Sequence, residues 1–259
     1  MKINPVQFNF IQPKPQSRVT CPLRMKPALK ADTVNFTGFW DDSPMSKMNS
    51  LVPKHKGIVY KNITDENGNV TGKVPVEVDI VKTAPNVFQF QKDKKIIGRV
   101  EMNYVPAYDC DSSPYAVLSK TYKDEDIVGD RIEVQYIYNN CENEYSGVGH
   151  LSDLVEVAAC KELGIKPNII SYSFDDVAPL HYQRGKRFIP YEKYCGKSEI
   201  DMYDLEGKNP NDTVREIVES TPKGKKFDTS PIKTPFLVMY MPKSQVKELE
   251  EELKEHPIF

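Results

Sequence analysis

The hydrophobic pattern of this 259-residue chain changes period once, and that change most constrains its fold. Before residue 140 the informative segments alternate: GIVYKN (57–62), VEVDIVK (76–82), NVFQFQ (86–91), IIGRVEMNYV (96–105) and RIEVQYIY (131–138). Alternation with period two marks a strand with one buried face. In the last of these runs it puts Ile132, Val134, Tyr136 and Tyr138 on one side. The connections are short and polar, as in DENGN (65–69), where Asn67-Gly68 favours a tight hairpin because Gly tolerates positive φ and Asn visits it. Strands joined this way pair antiparallel. SPYAVLSKTY (113–122) reads equally as a short helix or a strand.

From residue 150 the period becomes helical. HLSDLVEVAACKELGI places Leu151, Leu154, Val155, Ala158, Ala159 and Leu163 at helical spacings, with Gly164 as the C-terminal stop. NIISYSF (168–174) follows as an apolar strand, so the segments 131–138 and 168–174 are expected to lie parallel across a helical crossover. DDVAPLHYQRG reads as a short helix, and 211–220 as another with Val214, Ile217 and Val218 inward. PFLVMYM (235–241) is a late strand, and SQVKELEEELKE (244–255) a final helix with the stripe Val246, Leu249 and Leu253. The expected class is α+β, a mixed and mostly antiparallel central sheet with one parallel pair.

Charge divides the chain. The 35 Lys+Arg and 37 Asp+Glu give a net of -2, without the basic excess of a dedicated nucleic-acid binder. Residues 1–55 carry eight Lys/Arg, three Asp and no Glu, a net of +5, with seven of the 20 prolines; the remainder is therefore at -7. Proline removes a backbone donor and breaks helices. Residues 1–55 are expected to be a disordered, basic, Pro-rich leader, and 56–259 the folded domain. Within the leader, Phe36, Phe39 and Trp40 in VNFTGFW are candidates for docking onto the domain or a partner. The prolines spoil the amphipathic helix of a transit peptide, and the leader has no apolar core of a secretory signal. No apolar run reaches the ~18 residues of a membrane span, so no membrane partner is expected. Five cysteines without CxxC spacing and four histidines without HExxH spacing suggest reduced thiols, no metal and a cytoplasmic setting. Cys141 and Cys160 read as inert packing thiols. The basic runs Arg184–Arg187 and PKGKKF (222–227) read as solvated, with the first a candidate contact for a ligand phosphate. His150 reads as a helix cap and His181 as structural or exposed.

The segment NNCENEYSGVGHL joins the strand at 131–138 to the long helix. Gly147 and Gly149 at a helix mouth allow successive N–H groups to converge, and the helix N-terminus adds roughly half a positive charge. Such a turn suits a phosphate or pyrophosphate. It lacks the Lys-Ser/Thr of a P-loop, and Ser152 replaces the third glycine of a dinucleotide fingerprint.

Tyr145-Ser146-Gly147-Val148-Gly149-His150-Leu151, preceded by the meander and followed by helix, strand and short helix, resembles the GCN5-related N-acetyltransferase (GNAT) superfamily and its motif Arg/Gln-x-x-Gly-x-Gly/Ala. IISYSFDDVAPLHYQRGKRF resembles the family's Asn-x-x-Ala-x-x-aromatic-Tyr stretch, with Asp175, Ala178 and Tyr182 at the matching positions. The resemblance covers 86–190, weakly 74–85 and 235–241, and not 1–55. It implies acetyl-CoA as co-substrate, lying where the parallel pair splays apart. Its pyrophosphate would rest on the main chain around Ser146, Gly147, Val148, Gly149, His150 and Leu151. The acceptor is an amine, on a small molecule or a protein, that attacks the thioester directly. Tyr182 matches the acid that protonates the leaving thiolate, and Glu133 is the candidate base. Backbone N–H groups at the end of the cofactor strand would polarise the thioester carbonyl. The chain departs from the pattern at Ser146 and Leu151, carries Glu142 and Glu144 beside the turn, and lacks the family's two helices after the first strand. Those departures motivate the alternative of a GNAT-like module that binds a ligand or protein without catalysis.

Overall fold

The alternating segments fold as β1 (Gly57–Thr64), β2 (Val70–Ala84), β3 (Val87–Lys92), β4 (Lys95–Val105) and β5 (Arg131–Asn139), an antiparallel meander. The computed structural model describes residues 43–106, 129–174, 177–188, 210–222, 225–232 and 236–259. The rest of the leader, with VNFTGFW, and the segment 113–122 lie outside the described residues. So do Asp175 of the family stretch and part of PKGKKF.

After the meander come β6 (Tyr145–Ser146), α2 (Val148–Glu162), β7 (Ile169–Phe174), α3 (Ala178–Gln183), β8 (Arg187–Phe188), α4 (Pro210–Ser220), β9 (Phe236–Tyr240) and α5 (Lys243–Glu255). The nine strands form one sheet in the order β6-β1-β2-β3-β4-β5-β7-β9-β8. The class is α+β, and the sheet is mostly antiparallel with one parallel pair, β5 and β7. The sheet curls, because β6 leaves the far side of β5 and pairs with β1, through Tyr60–Ser146 and Lys61–Tyr145. α2 packs against β5, β4 and β1. Met48, Leu51, Phe88, Phe90, Val100, Met102, Ile132, Leu151, Val155 and Leu249 are among the buried side chains of this core. Burying each is worth roughly 1.5–3 kcal/mol. A second, smaller cluster gathers Ala178, Phe188, Val214, Ile217, Ile232 and Met239.

The expected domain boundary moves. α1 (Pro44–Ser50) lies inside the stretch read as leader. Ser43 caps it by accepting the Ser46 N–H at 3.1 Å, and Pro44 stands at its first position, where a missing N–H costs nothing. Met48 and Leu51 are buried in the main core, and the Lys82 ammonium donates to the Met48 carbonyl at 2.6 Å. The folded body therefore begins no later than Ser43, not at 56.

The expected face of β5 is also corrected. Tyr136 pairs with Glu101 but Val134 with Met102, so Gln135 is an extra residue, a β-bulge. The bulge reverses the alternation. Ile132 and Val134 are buried and Ile137 packs on the core, whereas Tyr136 and Tyr138 turn to solvent and stack with ring centroids 5.6 Å apart. The parallel ladder ends at the same place. It joins Ile132–Ile169, Glu133–Ile170 and Val134–Ser171, and then stops, although β5 continues to Asn139 and β7 to Phe174. A bulge bends its strand and adds local twist, which accounts for the loss of pairing there.

α2 itself ends as the sequence indicates. The Gly164 N–H bonds the Lys161 carbonyl at 3.1 Å and the Ile165 N–H the Cys160 carbonyl at 3.0 Å, the paired bonds of a Schellman stop. Among the described residues, no helix is long and apolar enough to cross a membrane.

Candidate cofactor site

Beyond the end of the β5–β7 ladder the chain leaves β5, passes through β6 and enters α2. β5 ends at Asn139, whose side-chain amide donates to the Tyr145 carbonyl at 3.0 Å and so anchors the return of the chain. Gly147 is the N-cap, at φ 87 and ψ -2, with no side-chain capping bond. That left-handed backbone favours glycine. A Cβ there would also stand 3.0 Å from the Tyr60 ring. A helix start leaves its first N–H groups without intrahelical partners, here those of Gly147, Val148, Gly149 and His150.

Leu151, expected in the same set, does not belong to it. Its N–H bonds the Gly147 carbonyl at 2.9 Å and its side chain is buried in the core. The Ser146 hydroxyl is buried and has no hydrogen-bond partner among the described residues. Glu144, whose charge would oppose an anion, is drawn away to Lys95, with contacts of 2.8 and 2.9 Å. The hydrogen bond from Lys95 holds its carboxyl below the ordinary range.

A cation stands beside this turn. The Arg184 guanidinium lies so close to Gly149 that a Cβ there would be 2.5 Å from Nη1. Its Nε donates to Asp153 at 2.8 Å and its Nη2 to His181 Nδ1 at 2.8 Å. His181 must then carry its proton on Nε2. Burial, reinforced by Arg184 and Lys186, holds its imidazole well below the usual value. Positive charge at a helix N-terminus is unfavourable alone and becomes favourable when an anion sits between them.

Arg184 is the outer member of a buried charge network. Lys186 is wholly buried, and its ammonium donates to Glu156 at 2.9 Å and to the Ser171 hydroxyl at 2.8 Å. It also lies 3.0 Å from Asp153 Oδ1, an ionic contact off the hydrogen-bonding direction. Burial pushes the Glu156 carboxyl up to about 7, against the pull of Lys186. Burial works the same way on Asp153, but Lys186 and Arg184 outweigh it and hold that carboxyl low. The network ties α2 to β7 and to the turn after α3. It corrects the reading of Arg184–Arg187 as solvated. The signal in the sequence was the pair Asp153 and Glu156, three apart in the otherwise apolar middle of the helix, 153–160.

The two candidate catalytic residues are held separately. Glu133, nearly buried, accepts from Arg131 Nε at 2.8 Å. It sits within the β5–β7 ladder, one position before the ladder ends. Tyr182 is half-buried on α3, with the Arg187 guanidinium 4.2 Å over its ring. Its hydroxyl makes no hydrogen bond among the described residues. No bond joins Tyr182 to Glu133 among them either. His150 does not cap α2 with its side chain; Nε2 contacts the Glu252 carboxylate on α5 at 2.9 and 3.1 Å. Cys160 is buried, and burial pushes its thiol up to about 12, so it is inert at neutral pH. Among the described residues no His, Cys, Asp and Glu cluster has the makings of a metal site.

Comparison with family models, with curated proteins and with solved structures finds no match to this chain.

Proposed function

We propose that this chain binds acetyl-CoA and transfers its acetyl group to an amine by direct attack. One observation carries the reading. The parallel ladder of β5 and β7 ends at Val134–Ser171, and the chain that leaves β5 returns to a glycine-capped helix start with a guanidinium beside it. Strand edges that stop pairing leave backbone donors and acceptors available to an extended ligand. The N–H groups from Gly147 to His150, together with Arg184, suit a pyrophosphate. The amine nitrogen attacks the thioester carbon and the carbon–sulfur bond breaks. Tyr182 gives its proton to the departing thiolate, and the amine's proton goes to Glu133 directly or through water. Backbone donors on the open part of β5 polarise the carbonyl.

Calorimetric titration of the full chain with acetyl-CoA tests the first half, and absence of binding at millimolar concentration sinks the reading. Release of free thiol with a panel of amines tests the second. Tyr182→Phe is expected to slow it by about 10²-fold. An unchanged rate removes Tyr182 as the acid.

A second reading, a binding module without catalysis, is favoured by the state of Glu133. Its Oε1 is already engaged by the Arg131 guanidinium and is not left to an amine. Acetyl-CoA binding without thiol release toward any amine would select this reading.

A further inference from the structure

The two flanks of the first turn of α2 differ. On the Gly149 flank, Arg184 fills the space. On the His150 flank a solvent-open cleft of ≈ 90 Å³ runs between β1, α2 and the end of α5. Ile58, Leu151 and Leu154 line it with apolar surface, and Lys56, Tyr60 and His256 bring polar groups to it. Tyr60 joins the cleft to the helix start, because its ring is also the nearest neighbour of Gly147, and it is 41% exposed. His150 belongs to both, its N–H at the turn and its ring in the cleft.

We infer that this cleft takes the nucleotide half of the acyl donor, an adenosine bearing a 3′-phosphate, with the purine against Tyr60 and the phosphate at Lys56 and His256. The inference rests on the acyl-CoA reading above. A ligand with its pyrophosphate at the start of α2 continues past one flank or the other, and Arg184 occupies one of them. The open flank offers what a phosphorylated purine nucleoside needs. An exposed phenol ring presents a π face for stacking. Lys56 is held only loosely, 3.6 Å from Asp79 and 3.8 Å from Glu77, all on the surface, and such pairs exchange for a phosphate at little cost. Glu252, the one carboxylate among the described residues lining the cleft, is engaged by His150.

The test is calorimetry on the full chain with three probes: acetyl-CoA, its 3′-dephospho form, and adenosine 3′,5′-bisphosphate. The bisphosphate is expected to compete with acetyl-CoA. Tyr60→Ala is expected to weaken acetyl-CoA about tenfold, and Tyr60→Phe to leave it unchanged, as stacking requires. Lys56→Gln is expected to weaken acetyl-CoA about threefold and the dephospho form not at all. Should Tyr60→Ala fail to fold, the exposed Lys56→Gln decides through the contrast between the two donors. Wild-type affinity in both variants overturns the cleft assignment and leaves the acyl-CoA reading intact. Failure of acetyl-CoA to bind the unaltered chain overturns the acyl-CoA reading, and the cleft assignment with it.

Discussion

α2 is buried on two opposite sides, and the two are built from different chemistry. At 100° per residue, Leu151, Leu154, Val155 and Ala158 form one stripe, while Gly149, Asp153, Glu156 and Cys160 form the other. The first stripe meets the meander and α5 through apolar contact alone. The second meets β7 and the turn after α3 largely through Asp153, Glu156, Lys186, Ser171 and Arg184. Apolar burial is non-directional and loses stability in proportion to what is removed. A buried ionic network is sensitive to which partner is removed, because a charge left alone keeps its full desolvation cost. The apolar side therefore sets how firmly α2 is held, and the ionic side sets where α3 and Arg184 stand relative to its first turn.

The sharpest way to break this contrast is Lys186→Met. The wholly buried ammonium contacts two buried carboxylates, and removing it is expected to cost about 3–5 kcal/mol. Urea denaturation at pH 7 measures the loss. A loss below about 1 kcal/mol would mean the carboxylates do not depend on this lysine, and the ionic side would then be no different in kind from the other.

On the apolar side, Leu151→Ala is expected to cost about 2–5 kcal/mol. The distinguishing readout is pH. The titratable groups nearest the cavity, His150, Glu252 and His256 of the adjoining cleft, are partly exposed to water and present in both chains, so the loss is expected to be much the same at pH 5 and pH 8. A loss that varies with pH would show the two sides coupled through the helix.

This contrast also explains what could be read from the sequence. The apolar stripe of α2, the strands of the meander and the parallel crossover follow from periodicity, because burial of one face repeats along the chain. The ionic stripe does not. Asp153 and Glu156 meet Lys186 some thirty residues away, and a basic run in a turn carries no mark of whether it faces water. The bulge at Gln135 was hidden for a related reason. RIEVQYIY alternates without a break, and only the register against β4 shows that its second half is turned over. α1 was missed because prolines were counted as breakers, although Pro44 at a first position begins a helix. At the site, the glycines were legible because a left-handed cap favours glycine. Arg184 over Gly149 was not, since it comes from a separate element of the fold.

A smaller effect with a definite sign comes from Glu156. Its folded value of about 7 lies above the ordinary 4.5, so the folded chain retains a proton that the unfolded chain releases. The penalty is absent below about 4.5, grows between 4.5 and 7, and is complete above 7. His181, held low, works in the opposite direction as pH falls below 6.5, and Asp153 does so below 3.8. Comparing a variant with the unaltered chain at each pH cancels both to first order. Glu156→Gln removes the ionisable group and keeps the shape. It is expected to be more stable than the unaltered chain by on the order of 1–3 kcal/mol at pH 8, and not at pH 4.5. Thermal unfolding across this range measures it. Equal stability of the two chains at pH 8 would mean that Lys186 fully compensates the charged form.

The smallest expected effect on stability falls where the two sides of α2 meet the proposed ligand. Gly149→Ala places a Cβ 2.5 Å from the Arg184 Nη1, the far end of a flexible side chain that can withdraw. Alanine in place of glycine in a helix gains roughly 0.5–1 kcal/mol, which offsets the loosened contact between Arg184 and Asp153, so the net change is expected within about 1 kcal/mol. Binding is another matter. If Arg184 supplies charge to the pyrophosphate, displacing it is expected to weaken acetyl-CoA about tenfold, by the loss of one charge-assisted contact. Calorimetry on Gly149→Ala and on Arg184→Gln separates the two roles. Arg184→Gln is expected to match that loss and to destabilise the fold as well, because Asp153 then loses a partner. If Gly149→Ala binds acetyl-CoA as tightly as the unaltered chain while Arg184→Gln destabilises it, Arg184 belongs wholly to the ionic side and plays no part at the ligand.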